Sequence, residues 1–125
     1  MRIRAFLYFF DGIAPSFACD DCLLVRNSNV KSILGTYSRC GEINGKPYYS
    51  SAHDRKLWIN PISGKWFLGS TQTFESELFN TGFIHTTAPS DCPVGPSVKW
   101  TEFRESQWTA NDQLEITGTI ITENI

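Results

Sequence analysis

The segment from Leu34 to Ser70 constrains the fold most, because the residues at its turns are chemically specific. Asn44-Gly45 separates two strand-like stretches, Leu34–Cys40 and Lys46–Ser51. Asparagine followed by glycine tolerates the positive φ angles that a tight type I′ hairpin turn requires. This pattern predicts a first β-hairpin.

A second hairpin follows at once in the sequence. Arg55–Asn60 and Lys65–Gly69 flank Pro61-Ile62-Ser63-Gly64, where proline presets φ early in the turn and glycine supplies freedom at its exit. The link between the two hairpins, Ala52-His53-Asp54, is short and polar, so no crossover helix fits there. The sequence therefore predicts an antiparallel β-meander.

Composition extends this prediction to the whole chain. At 125 residues the chain has the size of one domain, and nine Phe, four Trp and four Tyr against one Met favour sheet surfaces over helices. The stretch most compatible with a helix, Phe74–Asn80, is only about two turns long. We expect a single all-β domain of about six to eight antiparallel strands, forming a small barrel or sandwich with little helix.

Further strands are predicted in the second half, at Thr81–Thr87, Val98–Phe103, Gln107–Thr109 and Leu114–Thr117. Leu114–Thr117 shares its apolar rhythm with Leu23-Leu24-Val25, so we expect these two strands to be neighbours that bring the ends of the domain together. The predicted β domain covers residues 19–117, and residues 118–125 form a C-terminal tail.

The N-terminus, residues 1–18, is different in character. Met1–Arg4 is basic, Ala5–Phe10 is apolar, and Ser16-Phe17-Ala18 places small residues before Cys19, as in a secretory signal peptide. Asp11-Gly12 ends the apolar run early, so the alternative interpretation is a first edge strand over Ile3–Phe10. The signal peptide implies a secreted protein or one on the cell surface.

Four cysteines, Cys19, Cys22, Cys40 and Cys92, then suggest two disulfides. A bridge between Cys19 and Cys22 would close a very tight loop, so we expect each of them to reach one of the distant pair. The alternatives are a zinc knuckle at Cys19–Cys22, which lacks a second half-site, and a thioredoxin-like redox site, which lacks a βαβ context. We therefore expect no metal.

Other function classes find little support. The net charge of −2 comes without a basic stripe, and no apolar run is long enough for a transmembrane span, so we expect no nucleic-acid partner and no membrane span. His53 and His85 lie outside any nucleophile motif. The sequence has no glycine-rich loop with phosphate-binding spacing, so we expect no cofactor. Glu75 with Glu77, or Glu102 with Glu105, leaves a small secreted hydrolase with paired carboxylates as an alternative.

Several motifs in order carry a resemblance: Cys22-x-Leu24, Gly35-Thr36-Tyr37, Asn44-Gly45-Lys46-Pro47-Tyr48-Tyr49, Leu57-Trp58, Lys65–Gly69, Cys92-Pro93, Trp100 and Trp108. This order resembles a short repeat unit that occurs, singly or in tandem, in large predicted extracellular proteins of marine protists and invertebrates. The resemblance spans roughly Asp20 to Thr117. It implies a secreted or cell-surface β-module and brings no catalytic residues.

The leading functional hypothesis is non-catalytic binding or adhesion, through exposed aromatic side chains that recognise a glycan or an extracellular protein. For each Trp the alternative is a place in the core, and since adjacent strand residues face opposite ways, we expect one of the two adjacent Tyr at the surface. A purely structural, disulfide-stabilised matrix or repeat unit is the second hypothesis. The candidate ligand-binding residues are Tyr48, Tyr49, Trp58, Trp66, Trp100 and Trp108.

Overall fold

The computed structural model describes residues 19–119, and the predicted signal peptide and its alternative edge strand both lie outside this range. Nine strands form one antiparallel sheet that curls into a half-barrel, which confirms the all-β prediction. The elements are β1 (Cys22–Arg26), a 3₁₀ turn (Lys31–Ile33), β2 (Gly35–Ile43), β3 (Lys46–Ser50), β4 (Arg55–Ile59), β5 (Trp66–Ser70), α1 (Thr71–Glu75), β6 (Ile84–Thr86), β7 (Trp100–Arg104), β8 (Gln107–Asn111) and β9 (Glu115–Gly118).

The sheet is a meander from β1 to β8, with β9 added beside β1, so the strand order is β8-β7-β6-β5-β4-β3-β2-β1-β9. The predicted first hairpin is present, because Asn44 and Gly45 have φ angles of 54° and 78° between the paired strands β2 and β3. Val25 lies opposite Ile116, which confirms that the two ends of the domain pair. The nine strands described over residues 19–119 exceed the upper end of the expected six to eight by one.

The inner face of the curled sheet forms the main core. Side chains alternate along each strand, so every second residue points inward. The buried cluster therefore draws on every strand except β8: Leu23, Val25, Tyr37, Tyr49, Leu57, Ile59, Trp66, Leu68, Ile84, Trp100 and Ile116.

Part of the outer face is covered by α1 and the segment that follows it. Ser70 caps this one-turn helix by accepting a hydrogen bond from the Thr73 N–H at 3.0 Å. Phe74 and Phe79 then pack against Trp58, at ring-centre distances of 5.5 and 6.2 Å. This cover buries Trp58 on the outer side and stops before β6.

Contacts between opposite ends of the strand order hold the sheet in its curled form. Glu102 on β7 accepts a hydrogen bond from Ser28, which follows β1, at 2.7 Å. Asn111, at the end of β8, donates to the carbonyl oxygen of Asn27 at 3.1 Å. Because β1 and β7 are far apart in the strand order, these bonds can form only when the sheet curls.

The cysteines depart in part from the expectation. Cys19 forms a disulfide with Cys92, one of the two distant cysteines, as expected. Cys22 and Cys40 are free thiols. Cys22 lies opposite Ser38, so Cys40 is diagonal to it, at a typical separation of about 7 to 8 Å that exceeds disulfide reach. The structure thus contains one of the two expected bridges.

Replacing Gly45 by valine should destabilise the first hairpin. No atom lies within 4 Å of a Cβ built on Gly45, so the expected loss of about 1 to 2 kcal/mol comes from the positive φ of 78° alone. Thermal unfolding of Gly45→Val beside Gly45→Asn, which tolerates this conformation, measures the effect. Equal melting temperatures for the two variants would contradict the assignment of strain to this turn.

Candidate functional site

The exposed aromatic side chains of the described residues gather on the outer face of β6, β7 and β8. Phe103 and Trp108 are 46% and 43% exposed, although both are large and apolar. The Trp108 ring lies 5.1 Å from Phe103 and 4.5 Å from His85, between ring centres. We call His85, Phe103 and Trp108 the outer aromatic patch.

Local structure explains how the strands assemble this patch. Glu105 and Ser106 form a two-residue turn with φ angles of 51° and 68°, the signs of a type I′ hairpin. That turn places Phe103 directly opposite Trp108, and the next strand places His85 opposite Thr101. The three side chains therefore share one face of adjacent strands.

The patch continues a buried aromatic layer on the same face of the sheet. Phe67, opposite His85 on the neighbouring strand β5, packs beside it with ring centres 5.2 Å apart, and stacks near Trp58 at 6.4 Å. The same aromatic layer continues under α1, where it is covered. The patch is the part of this layer that the helix and its following segment leave open to solvent.

Two polar groups accompany the aromatic faces. His85 Nδ1 lies 2.8 Å from the carbonyl oxygen of Thr86, and since a carbonyl only accepts, Nδ1 carries the proton and a neutral ring keeps Nε2 as an acceptor. Within residues 19–119 the indole N–H of Trp108 has no hydrogen-bond partner, whereas those of Trp58 and Trp66 donate to backbone carbonyls. The patch thus combines flat apolar surfaces with one donor and one acceptor.

The other candidate aromatic residues lie elsewhere. Tyr49, Trp58, Trp66 and Trp100 are buried and serve as core residues, so they do not belong to the site. Tyr48 is half-buried on the outer face, 4.7 Å from Phe74 between ring centres. Of the six residues considered from sequence, only Trp108 is largely exposed and joins the patch.

The carboxylates considered for hydrolysis are placed differently from one another. Glu102 is fully buried and accepts hydrogen bonds from Ser28 and Asn29, while Glu105 is exposed in the β7–β8 turn. Burial alone raises the pKa of Glu102, but the hydrogen bonds from Asn29 and Ser28 outweigh it and hold the pKa below its ordinary value. Glu102 is therefore an ionised structural group. Glu75 ends α1, and Glu77 follows it.

Two clefts lie away from the patch. One, of about 430 Å³, lies beside the Asn44-Gly45 turn and contains Lys46 and Asp91, whose charged groups are 3.8 Å apart. The other, of about 420 Å³, lies between the loop before β7 and β9, and includes Val98, Lys99 and Ile116. Neither has an aromatic face open to solvent comparable with Trp108.

Metal and membrane features are both absent over residues 19–119. No three side chains among His, Cys, Asp and Glu in that range come together as metal ligands. None of the helices described there has the length and apolar character needed to cross a membrane.

The sequence singles out Trp108 but neither of its two neighbours. His85 lies in the predicted strand Thr81–Thr87, and Phe103 is one position of the alternating strand Val98–Phe103, so neither has a local signal of exposure. The polar turn around Arg104-Glu105-Ser106, after which Gln107–Thr109 is expected to pair back, is the signal that could have found Phe103, because a two-residue connection fixes Phe103 opposite Trp108. Comparison with known proteins finds no family model, no curated protein and no solved structure that matches this chain.

Proposed function

We propose that this protein is a non-catalytic binding or adhesion module, secreted or displayed at a cell surface, that recognises its partner through the outer aromatic patch. The observation that carries the proposal is the solvent exposure of Trp108 and Phe103 side by side on a rigid sheet. Monomeric domains seldom leave two large aromatic rings clustered in solvent unless a partner covers them.

The chemistry of the patch suits a glycan best. Flat aromatic rings bury the apolar face of a sugar, and nearby donors and acceptors orient its hydroxyls. The Trp108 indole N–H, which has no partner within residues 19–119, is a donor, and Nε2 of His85 is an acceptor in the tautomer that carries its proton on Nδ1. An apolar protein side chain would use the same rings but not both polar groups.

The disulfide and the N-terminal sequence support the proposed location. Disulfides persist in oxidising compartments, and Cys19–Cys92 joins residues far apart in the chain. Residues 1–18 have the charge and apolar pattern of a secretory signal. The non-catalytic part of the proposal is supported by Glu102, whose carboxylate is occupied by internal hydrogen bonds.

Trp108→Ala should strongly weaken recognition of any glycan that the protein binds. Central aromatic residues in binding sites are often worth about 2 kcal/mol or more, so we expect the affinity to fall by about 30-fold or more. A glycan array identifies ligands, and isothermal titration then compares the wild type with Trp108→Ala and with Ile62→Ala. Ile62 is the matched control, because it is 94% exposed but lies in the β4–β5 turn.

The outcomes separate the hypotheses. An affinity that falls by about 30-fold or more in Trp108→Ala and is unchanged in Ile62→Ala supports the proposed site. An affinity that Trp108→Ala leaves unchanged would refute the patch as the site. If no glycan binds and a pulled-down extracellular protein depends on Trp108, the partner is a protein; if neither binds, the protein is a structural unit.

A further inference from the structure

We propose that this protein forms a two-fold symmetric dimer by antiparallel pairing of β8 with β8 of a second copy, which joins the two outer aromatic patches. The dimer is argued independently of the proposed function, and only its use as a bivalent binding surface rests on that function. The proposed dimer rests on three observations of the described residues. β8 lies at the edge of the sheet, some of its backbone N–H and C=O groups point away from β7, and its side chains are complementary to those of a second β8 strand.

The free edge of β8 has unusually little protection. Among residues 19–119, β8 is the last strand in the sheet order and no described segment pairs with its outer edge, although β9 follows it in the chain. Exposed edges are normally blunted by lysine, proline, inward charges or a bulge, yet Gln107-Trp108-Thr109-Ala110-Asn111 has no charged residue and no proline. Its pairing with β7 is regular over all five residues. The edge is therefore a ready template for another strand.

The alternation of hydrogen-bonded and non-hydrogen-bonded pairs between β7 and β8 shows which backbone groups of β8 do not bond to β7. The N–H of Phe103 donates to Phe83, on the side of β6, at 2.9 Å. Phe103 and Trp108 are consequently a non-hydrogen-bonded pair, and the N–H and C=O of Trp108 point away from β7. Those of Ala110, two residues further on, point the same way.

These free groups select one register for self-pairing. A two-fold axis at Thr109 places Trp108 opposite Ala110 of the second copy, and Ala110 opposite its Trp108. Each such pair exchanges two backbone hydrogen bonds, so the dimer gains about four. A two-fold axis at Trp108 or at Ala110 would pair only one of these two residues with its own copy within β8, so fewer of the outward N–H and C=O groups would form hydrogen bonds.

The side chains and charges fit the same register. Trp108 would lie beside the small Ala110 of the second copy on the outer face, where it meets no large side chain. Since the pairing segment is uncharged and the net charge of the chain is only −2, the two copies approach without strong repulsion. Pairing at the edge leaves the outer face open, so the two patches form one surface with an indole on each side of the axis.

The consequence is a bivalent binding surface. Two copies of His85, Phe103 and Trp108, related by the axis, would engage one extended partner or two neighbouring ones. Linked sites raise the apparent affinity for multivalent partners without any new contact. A glycan chain or an array of identical proteins is the kind of partner that such a surface favours.

The test combines mass measurement with a variant that blocks only the free edge. Sedimentation equilibrium of the full chain over a wide concentration range should show a reversible monomer–dimer equilibrium. Ala110→Pro removes an N–H that β7 does not use, so the fold should tolerate it while dimer affinity falls more than about tenfold. Ala110→Ser, which keeps the N–H, is the control and should dimerise like the wild type.

A second variant tests the register even if proline disturbs the strand. In a Cys40→Ser background, Thr109→Cys should form a disulfide dimer in an oxidising glutathione buffer, because directly opposed residues of this type are about 4.5 Å apart. Ala110→Cys, which faces Trp108 of the second copy, should remain uncrosslinked. Crosslinking of Ala110→Cys in place of Thr109→Cys would overturn the register.

Other results would overturn the proposal itself. A wild-type protein that remains monomeric at all concentrations refutes the dimer. If that monomer is also destabilised by Ala110→Pro but not by Ala110→Ser, another segment of the same chain occupies the edge. A dimer that Ala110→Pro leaves intact would have to form through a different surface.

Discussion

Loss of the Cys19–Cys92 disulfide is expected to lower the free energy of unfolding by about 4 kcal/mol. The bridge joins residues separated by 73 positions, and the chain-entropy relation gives about 4 kcal/mol for a loop of that length. It also fixes the residues before β1 to the loop between β6 and β7. The bridge therefore restricts the unfolded chain and holds two distant parts of the folded sheet together.

Urea unfolding of a double variant, Cys19→Ser with Cys92→Ser, measures this contribution without leaving an odd thiol. Cys40→Ser is the control, because Cys40 is an exposed free thiol, and its stability should match that of the wild type within about 0.5 kcal/mol. A double variant as stable as the wild type would show that this bridge contributes nothing to closure of the sheet.

Glu102→Gln is expected to cost about 2 to 3 kcal/mol at neutral pH, because hydrogen bonds to a buried charged group are strong and their partners stay buried. Ser28 O–H and Asn29 Nδ2 donate to the carboxylate at 2.7 and 2.8 Å. The Arg104 guanidinium lies 3.2 Å from it as an ion pair. The substituted side chain carries an amide N–H₂ group, which would face the donors Asn29 Nδ2 and Arg104 Nε at the Oε1 position, or the Asn29 backbone N–H at the Oε2 position.

The same carboxylate should make stability depend on pH. The folded-state pKa of Glu102 is depressed, so its contribution is fully present above the unfolded-state value of about 4.3. The contribution declines as the pH falls through the lower, folded-state pKa. Wild type and Glu102→Gln should therefore differ most near pH 7 and converge in strong acid, as followed by urea unfolding at a series of pH values.

Glu115→Gln provides the matched control for this prediction. Glu115 also forms an ion pair, with Arg26 at 2.7 Å, but both side chains are about half exposed. Such surface pairs contribute between about 0 and 1 kcal/mol, so Glu115→Gln should be nearly neutral. A Glu102→Gln variant that behaves like Glu115→Gln at every pH would contradict the assignment of Glu102 as the group that closes the sheet.

The sequence allowed correct prediction wherever the structure depends on neighbours along the chain. Asn44-Gly45 fixed the first hairpin, because few residues accept the required φ angles. The apolar rhythm of Leu23–Val25 and Leu114–Thr117 identified partners at the two ends of the domain, as the pairing of Val25 with Ile116 confirms. Strand positions, antiparallel pairing and the small amount of helix all follow from such local patterns.

Burial of the aromatic residues could not be assigned in the same way. Trp58 and Trp108 both lie on outer faces of strands, and nothing in their immediate sequence distinguishes them. Trp58 is buried because α1 and Phe79 fold across β4, whereas β8 lies beyond the reach of that cover. Exposure of a side chain on a sheet depends on what packs above it, which the strand itself does not encode.

The sequence by itself determined the meander, its turns and the pairing of its ends, because φ preferences and side-chain alternation act between near neighbours. Only the tertiary structure decided how the sheet curls, which cysteines pair and which aromatic residues face solvent. Ser28 with Glu102, Cys19 with Cys92, and His85 with Trp108 are all contacts between residues distant in the chain. Such contacts depend on the combined twist and packing of the whole sheet, so no local pattern predicts them.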